Sequence, residues 1–189
     1  MQRPAVSQQA LHRPVECFRG DDGSGRADGG ILGARWKIHP VTVPEVLAAA
    51  REHGINRIDA EAFTAGPQDS QWNETPPGLK LVGDAAFCVG VNGFVLHRFV
   101  EQAWGDQYKP GLAMGQWGTH FDRTQTWWDP FKATVKYWQR CDALLQWGGI
   151  VTNDFAVQGD DGKLEVKSTH RSDGKADVYF VANLSRTNG

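Results

Sequence analysis

The sequence predicts an α/β fold of repeating strand–helix units that ends in a β-hairpin. Three observations carry this. PEVLAAAREHG reads as a helix that stops at a glycine, and INRIDAEAF follows at once as a short strand, which is the αβ half of a repeating unit. The same alternation recurs as far as Gly148. Near the C-terminus two β-rich runs, LEVKSTHR and DVYFVANL, flank SDGKA, whose Asp173–Gly174 pair is a hairpin turn signal. The expected divisions are a disordered or linker tail over 1–30, a β/α region over 31–152 and a β-rich extension over 153–189.

Each element has its own warrant. Residues 1–30 are polar and rich in glycine, and DDGSGRADGG cannot build a core. Pro44 suits the first turn of the first helix, its alanines favour the interior and Gly54 suits the stop. The strand that follows ends near Glu61–Phe63. TAGPQDSQWNETPPGLK then reads as a long loop, in the place where α/β enzymes put their chemistry. Asp84 is expected to cap a second helix, with Phe87, Val91, Val95 and Phe99 at i, i+4 spacing on one face. Gly90 and Gly93 would weaken that helix by ~1 kcal/mol each relative to alanine, so close packing is expected of them. LAMGQW reads as a strand and THFDRTQTWW as a loop beyond it. Asp129 and Pro130 open a final amphipathic helix carrying Phe131, Val135, Trp138 and Leu145.

The totals exclude several classes. A chain of 189 residues is long enough for one domain with a real core, and its formal charge of −2 leaves no nucleic-acid or anionic-membrane footprint. No apolar run approaches the ~20 residues of a membrane helix. The N-terminal stretch has no apolar centre, so no secretory signal is expected and the chain as it stands reads as cytoplasmic. Cys17, Cys88 and Cys141 are an odd number without metal-ligand spacing, so free thiols are expected.

Chemistry concentrates in QWGTHFDRTQTWW, Gln116 to Trp128. It holds three tryptophans, a histidine, an aspartate and an arginine. Flat indole faces cover the C–H faces of a pyranose, and directional polar groups match its hydroxyls. The plain alternative is a tryptophan-rich core segment with satisfied polar neighbours. Glu61, at a strand end before a glycine-containing loop, is placed for acid or base work; a salt-bridged glutamate is the alternative. Glycoside hydrolysis needs two carboxyl groups. Asp122 is the preferred second, with Glu101, Asp59, Glu74 and Asp69 also available. His120 lies in the polar–aromatic loop and is suited to a hydroxyl, whereas His97 falls on the expected helix and reads as a packed group. Trp104, Trp117, Trp127 and Trp128 are candidate stacking surfaces, with one of the last two expected in the core. Carboxylates and backbone oxygens can hold calcium, but the sequence does not locate such a site.

Taken together, AEAFTAG, PPGLKLVGDAAFCVGVNGFVLHRFV, PGLAMGQWGTHFDRTQTWWDP and YWQRCDALLQWG resemble the α-L-rhamnosidases of glycoside hydrolase family 106. STHRSDGKADVYFVANLSRTNG resembles the stretch where that family's barrel gives way to β-rich domains. The resemblance implies that residues 31–152 are part of a (β/α)8 TIM-barrel-like catalytic region. It also implies inverting, often calcium-dependent hydrolysis of terminal α-L-rhamnosyl linkages in rhamnose-containing glycosides. Glu61 would be a catalytic carboxylate. Asn92, His97, Trp117, His120 and Asp122 would line or support the sugar site, and Trp127 and Trp128 would help form its platform. Family members are far longer, and are often periplasmic or secreted. Room for about one β/α unit precedes Glu61, and VEQAW stands where the family carries a histidine. A missing half-barrel or an oligomer partner is therefore expected, and a non-catalytic sugar-binding remnant is the rival reading.

Overall fold

A computed structural model describes residues 15–16, 43–63, 74–113, 119–151 and 166–185. Strand β1 is Val15–Glu16, helix α1 is Val43–Glu52 and strand β2 is Asp59–Ala62. Pro44 sits in the first turn of α1, and Gly54 closes it at φ +65°, a left-handed conformation glycine takes without steric cost. β2 lies between β1 and β3 (Gly93–Leu96) and is parallel to both. Two residues inside the expected tail thus pair with the sheet, Val15 opposite Ala60 and Glu16 opposite Glu61.

The second helix departs from the sequence expectation. α2 runs from Pro76 to Cys88. Two prolines open it, where the missing N–H groups cost nothing. Asp84 is therefore no cap. It is buried in mid-helix, where it pairs with Lys80 and accepts a 2.8 Å hydrogen bond from the Tyr137 hydroxyl of the last helix. Nor does the helix continue through Val95. It stops at Cys88, turns at Gly90 (φ +100°) and gives way to β3. Gly93 is needed because the Asp59 side chain fills the space a Cβ would take.

α3 spans Trp128–Leu145 and ends before Gly148, at φ +62°. The second sheet holds β4 (Gly149–Val151), β5 (Val166–Ser172) and β6 (Asp177–Asn183), all antiparallel in that order. The hairpin turns where expected, with Gly174 at φ +82°. The hairpin also shares its sheet with β4, directly after α3.

Helices α2 and α3 cover one face of the parallel sheet. Ala60 and Ala62 are fully buried beneath them, together with Phe63, Phe87, Val91, Phe131 and Trp138. The rings of Phe63 and Trp138 stack 4.7 Å apart, and Phe180 of β6 meets Phe87 of α2 at 5.5 Å. Among the described residues the parallel strands form an open sheet, and no closed barrel is seen there. No described helix is long and apolar enough to cross a membrane. Cys88 and Cys141 are free thiols, and burial pushes Cys88 up to about 12.

Candidate active site at the strand ends

β2 delivers position 61 one residue before its C-terminal end, in register with Val95 of β3. Ala60 and Ala62 on either side are in the core, while Val95 is 50 % exposed on the other face. The Glu61 side chain lies outside what is described. Two residues on, Phe63 takes φ +65°. For a bulky side chain this left-handed conformation costs ~1–3 kcal/mol and needs strong support. Phe63 has that support. Its ring packs against Phe94, Phe121 and Trp138, and its carbonyl accepts a 3.2 Å hydrogen bond from Thr119 Oγ1.

β3 ends beside this corner. His97 follows Leu96 directly, so it stands at a strand end and not on the helix the sequence suggested. It is half-buried, and its Nδ1 has no partner among the described residues. Arg98 donates its N–H to Thr119 O at 2.8 Å and accepts from Phe121 N at 2.9 Å. That pattern belongs to parallel pairing and lays residues 119–121 alongside the end of β3. Three segments distant in sequence meet here: the ends of β2 and β3 and the polar–aromatic loop.

The side chains of this loop form a small cluster. His120 is buried, and its Nε2 lies 3.0 Å from Arg98 Nη2. Guanidinium is a donor only, so Nε2 is the acceptor and a neutral ring carries its proton on Nδ1. Burial first, then the Arg98 charge, push the His120 pKa below its ordinary value, against an opposing pull from Asp122. Burial likewise lowers Arg98. Asp122 is 1 % exposed; one oxygen accepts from the Thr124 N–H at 2.6 Å and from its hydroxyl, and Oδ2 has no partner among the described residues. A carboxylate buried with one oxygen unengaged is costly unless it has a use.

Other expected site residues fall elsewhere. Asn92 is not at this end. It precedes β3, about 13 Å from the end of that strand at the rise of a parallel strand. Its Oδ1 accepts from Ile58 N at 2.7 Å, and its Nδ2 donates to Asn56 O and to Leu145 O at 3.1 Å. That amide clamps backbone, with both of its N–H donors used. Trp127 and Trp128 are half-buried and pack on Phe131, at 5.1 and 6.4 Å between rings, so both serve the core more than a platform. Trp117 lies outside the described residues, as do Asp69 and most of LAMGQW. Of the alternative acids, Asp59 forms an ion pair with Arg57 at 2.9 Å, and Glu101 is exposed with its backbone bridged to Leu112. Among the described residues no three His, Cys, Asp or Glu groups gather to hold a metal.

Sequence reasoning missed Arg98, Thr119 and Phe63. The left-handed Phe63 had no local signal, since aromatic residues rarely adopt it.

Comparisons with known proteins fit this arrangement. Residues 42–163 match the family profile of the glycoside hydrolase family 106 alpha-L-rhamnosidases. The fold is similar to that of a rhamnosidase from Novosphingobium sp. PP1Y, with a TM-score of 0.54 and 32 % identity, over 59 % of this chain and 10 % of that one. A Formosa agariphila protein named "Putative beta-glucuronidase" is 36 % identical over 115 residues, which is 61 % of this chain and 10 % of that protein. The chain thus spans about a tenth of the length of these relatives. With more than half of its residues matched by the family profile, including both strand ends and the loop that joins them, the chain belongs to the alpha-L-rhamnosidase family of glycoside hydrolases.

Proposed function

We propose that this chain carries part of the active site of a glycoside hydrolase that removes terminal α-L-rhamnosyl residues by inverting acid/base chemistry. The observation that supports it best is the convergence of the Glu61 strand end with the Arg98–His120–Asp122 cluster. Active-site groups in parallel α/β sheets collect at this end of the strands.

In this reading Glu61 is the general acid or base. Asp122 is its counterpart, held at one oxygen by Thr124, with its buried Oδ2 left unengaged among the described residues. Inversion requires the two carboxyl groups to stand ~6.5–9.5 Å apart so that water fits between them. His120 and Arg98 position hydroxyls, with a neutral His120 donating from Nδ1 while its Nε2 accepts from Arg98. A rhamnose-containing glycoside is the substrate class. The open sheet is completed into a barrel by further strands, from the same polypeptide or a partner copy.

The test is rhamnose release from an aryl α-L-rhamnoside by the unaltered chain and by Glu61→Gln. Loss of a catalytic acid or base costs about 10²–10⁴-fold in rate, and that loss is expected. Equal rates would remove Glu61 from the mechanism. Saturable binding of L-rhamnose without turnover by either protein would favour a non-catalytic remnant that keeps the sugar site.

A further inference from the structure

Trp127 and Trp128 are committed to Phe131, which leaves one described tryptophan out in water. Trp104 is 56 % exposed on the loop after β3. Tyr108, 60 % exposed, stands edge-on to it at 6.0 Å. Two large aromatic groups held together in water waste apolar area unless something covers them.

The loop that carries the pair is braced. Tyr108 N donates to Gly105 O at 3.1 Å, Gly111 N to Tyr108 O at 2.8 Å and Leu112 N to Glu101 O at 2.9 Å. The Gln102 side chain donates to Pro110 O. Asp106, between the two aromatics in sequence, pairs with Lys109 at 3.2 Å and with Arg123 at 3.5 Å. Arg123 is the neighbour of Asp122, so this contact ties the aromatic pair to the candidate active-site loop. The Gln107 amide folds back over Gly105, beside Trp104.

We propose that Trp104 and Tyr108 form a platform for a second sugar ring, the leaving-side pyranose of an oligosaccharide whose terminal sugar occupies the candidate active site. This rests on the glycosidase reading and adds the site of the neighbouring sugar. Aromatic faces match the C–H face of a pyranose, and the Gln107 amide and the Asp106–Arg123 pair supply partners for its hydroxyls. An apolar peptide or lipid would need an uninterrupted apolar groove, and Asp106, Gln107 and Lys109 break the patch.

The test titrates the whole chain with L-rhamnose and with rutinose, a disaccharide of rhamnose and glucose, by calorimetry. One stacked ring is expected to tighten rutinose binding about three- to tenfold over rhamnose. Trp104→Ala should erase that advantage and leave rhamnose binding unchanged, while Trp104→Phe should keep part of it. Equal affinities for the two sugars in the unaltered chain would overturn the platform and spare the proposed function. An advantage that survives both Trp104→Ala and Tyr108→Ala would overturn it as well. Binding of neither sugar would overturn both readings together.

Discussion

His120 ties the candidate site to pH. Its pKa is held below the ordinary value by burial and by Arg98. In the unfolded chain it takes up a proton near its unperturbed pKa of ~6.5, whereas the folded chain resists protonation until lower pH. The unfolded state therefore binds more protons in that window, and stability rises with pH across it. The contribution is fully present above ~6.5 and is lost as pH falls through the folded pKa. Thermal midpoints measured from about pH 5 to pH 7.5 should rise for the unaltered chain and flatten in His120→Gln. An identical slope in the variant would exclude His120 as the source. Asn92 shows the opposite use of a polar side chain. Its amide joins the entry to β2 with the exit of α3.

At the scale of elements, the α2–α3 contact is close-packed. A Cβ at Gly83 would lie 2.7 Å from Trp138 Nε1. The indole cannot yield, because Phe63 stacks flat against it and Phe131 meets it edge-on at 5.6 Å. Gly83→Ala gains about 1 kcal/mol in helix propensity but incurs about 1–3 kcal/mol of overpacking. A net lowering of the thermal midpoint is expected, and a rise would show that the helices can part. This joint also explains what was legible in the sequence. α1 and the hairpin were readable because Pro44, Gly54 and Asp173–Gly174 act locally. α2 and β3 were misread because Phe87, Val91 and Val95 match a helical spacing by coincidence. Phe87 and Val91 are both fully buried, yet they belong to a helix and to the turn after it. The true punctuation was Gly90, whose φ no local pattern announces. In the site, strand-end Glu61 and the 119–122 loop were legible by position. The Arg98–His120 contact was not, because it joins residues 22 apart through pairing that only the folded sheet defines.

Over the whole molecule, α2 binds the two sheets into one unit. It meets Phe94 of the parallel sheet through Phe87, and the same ring meets Phe180 of the antiparallel hairpin. Phe180→Ala should lower the stability of the entire chain by about 1–3 kcal/mol, since the ring is only half-buried. Tryptophan fluorescence and far-UV circular dichroism should still report one coincident transition. Separate transitions would show the hairpin melting alone.

The corner at Phe63 reaches further than its own packing. Its backbone is pinned in an unfavourable rotation by a ring wedged deep in the interior and by Thr119 from across the sheet. Whatever the polypeptide does afterwards is mechanically insulated from the strand before it. Sequence downstream of this anchor can lengthen or shorten while the end of β2 keeps its bearings against the rest of the sheet.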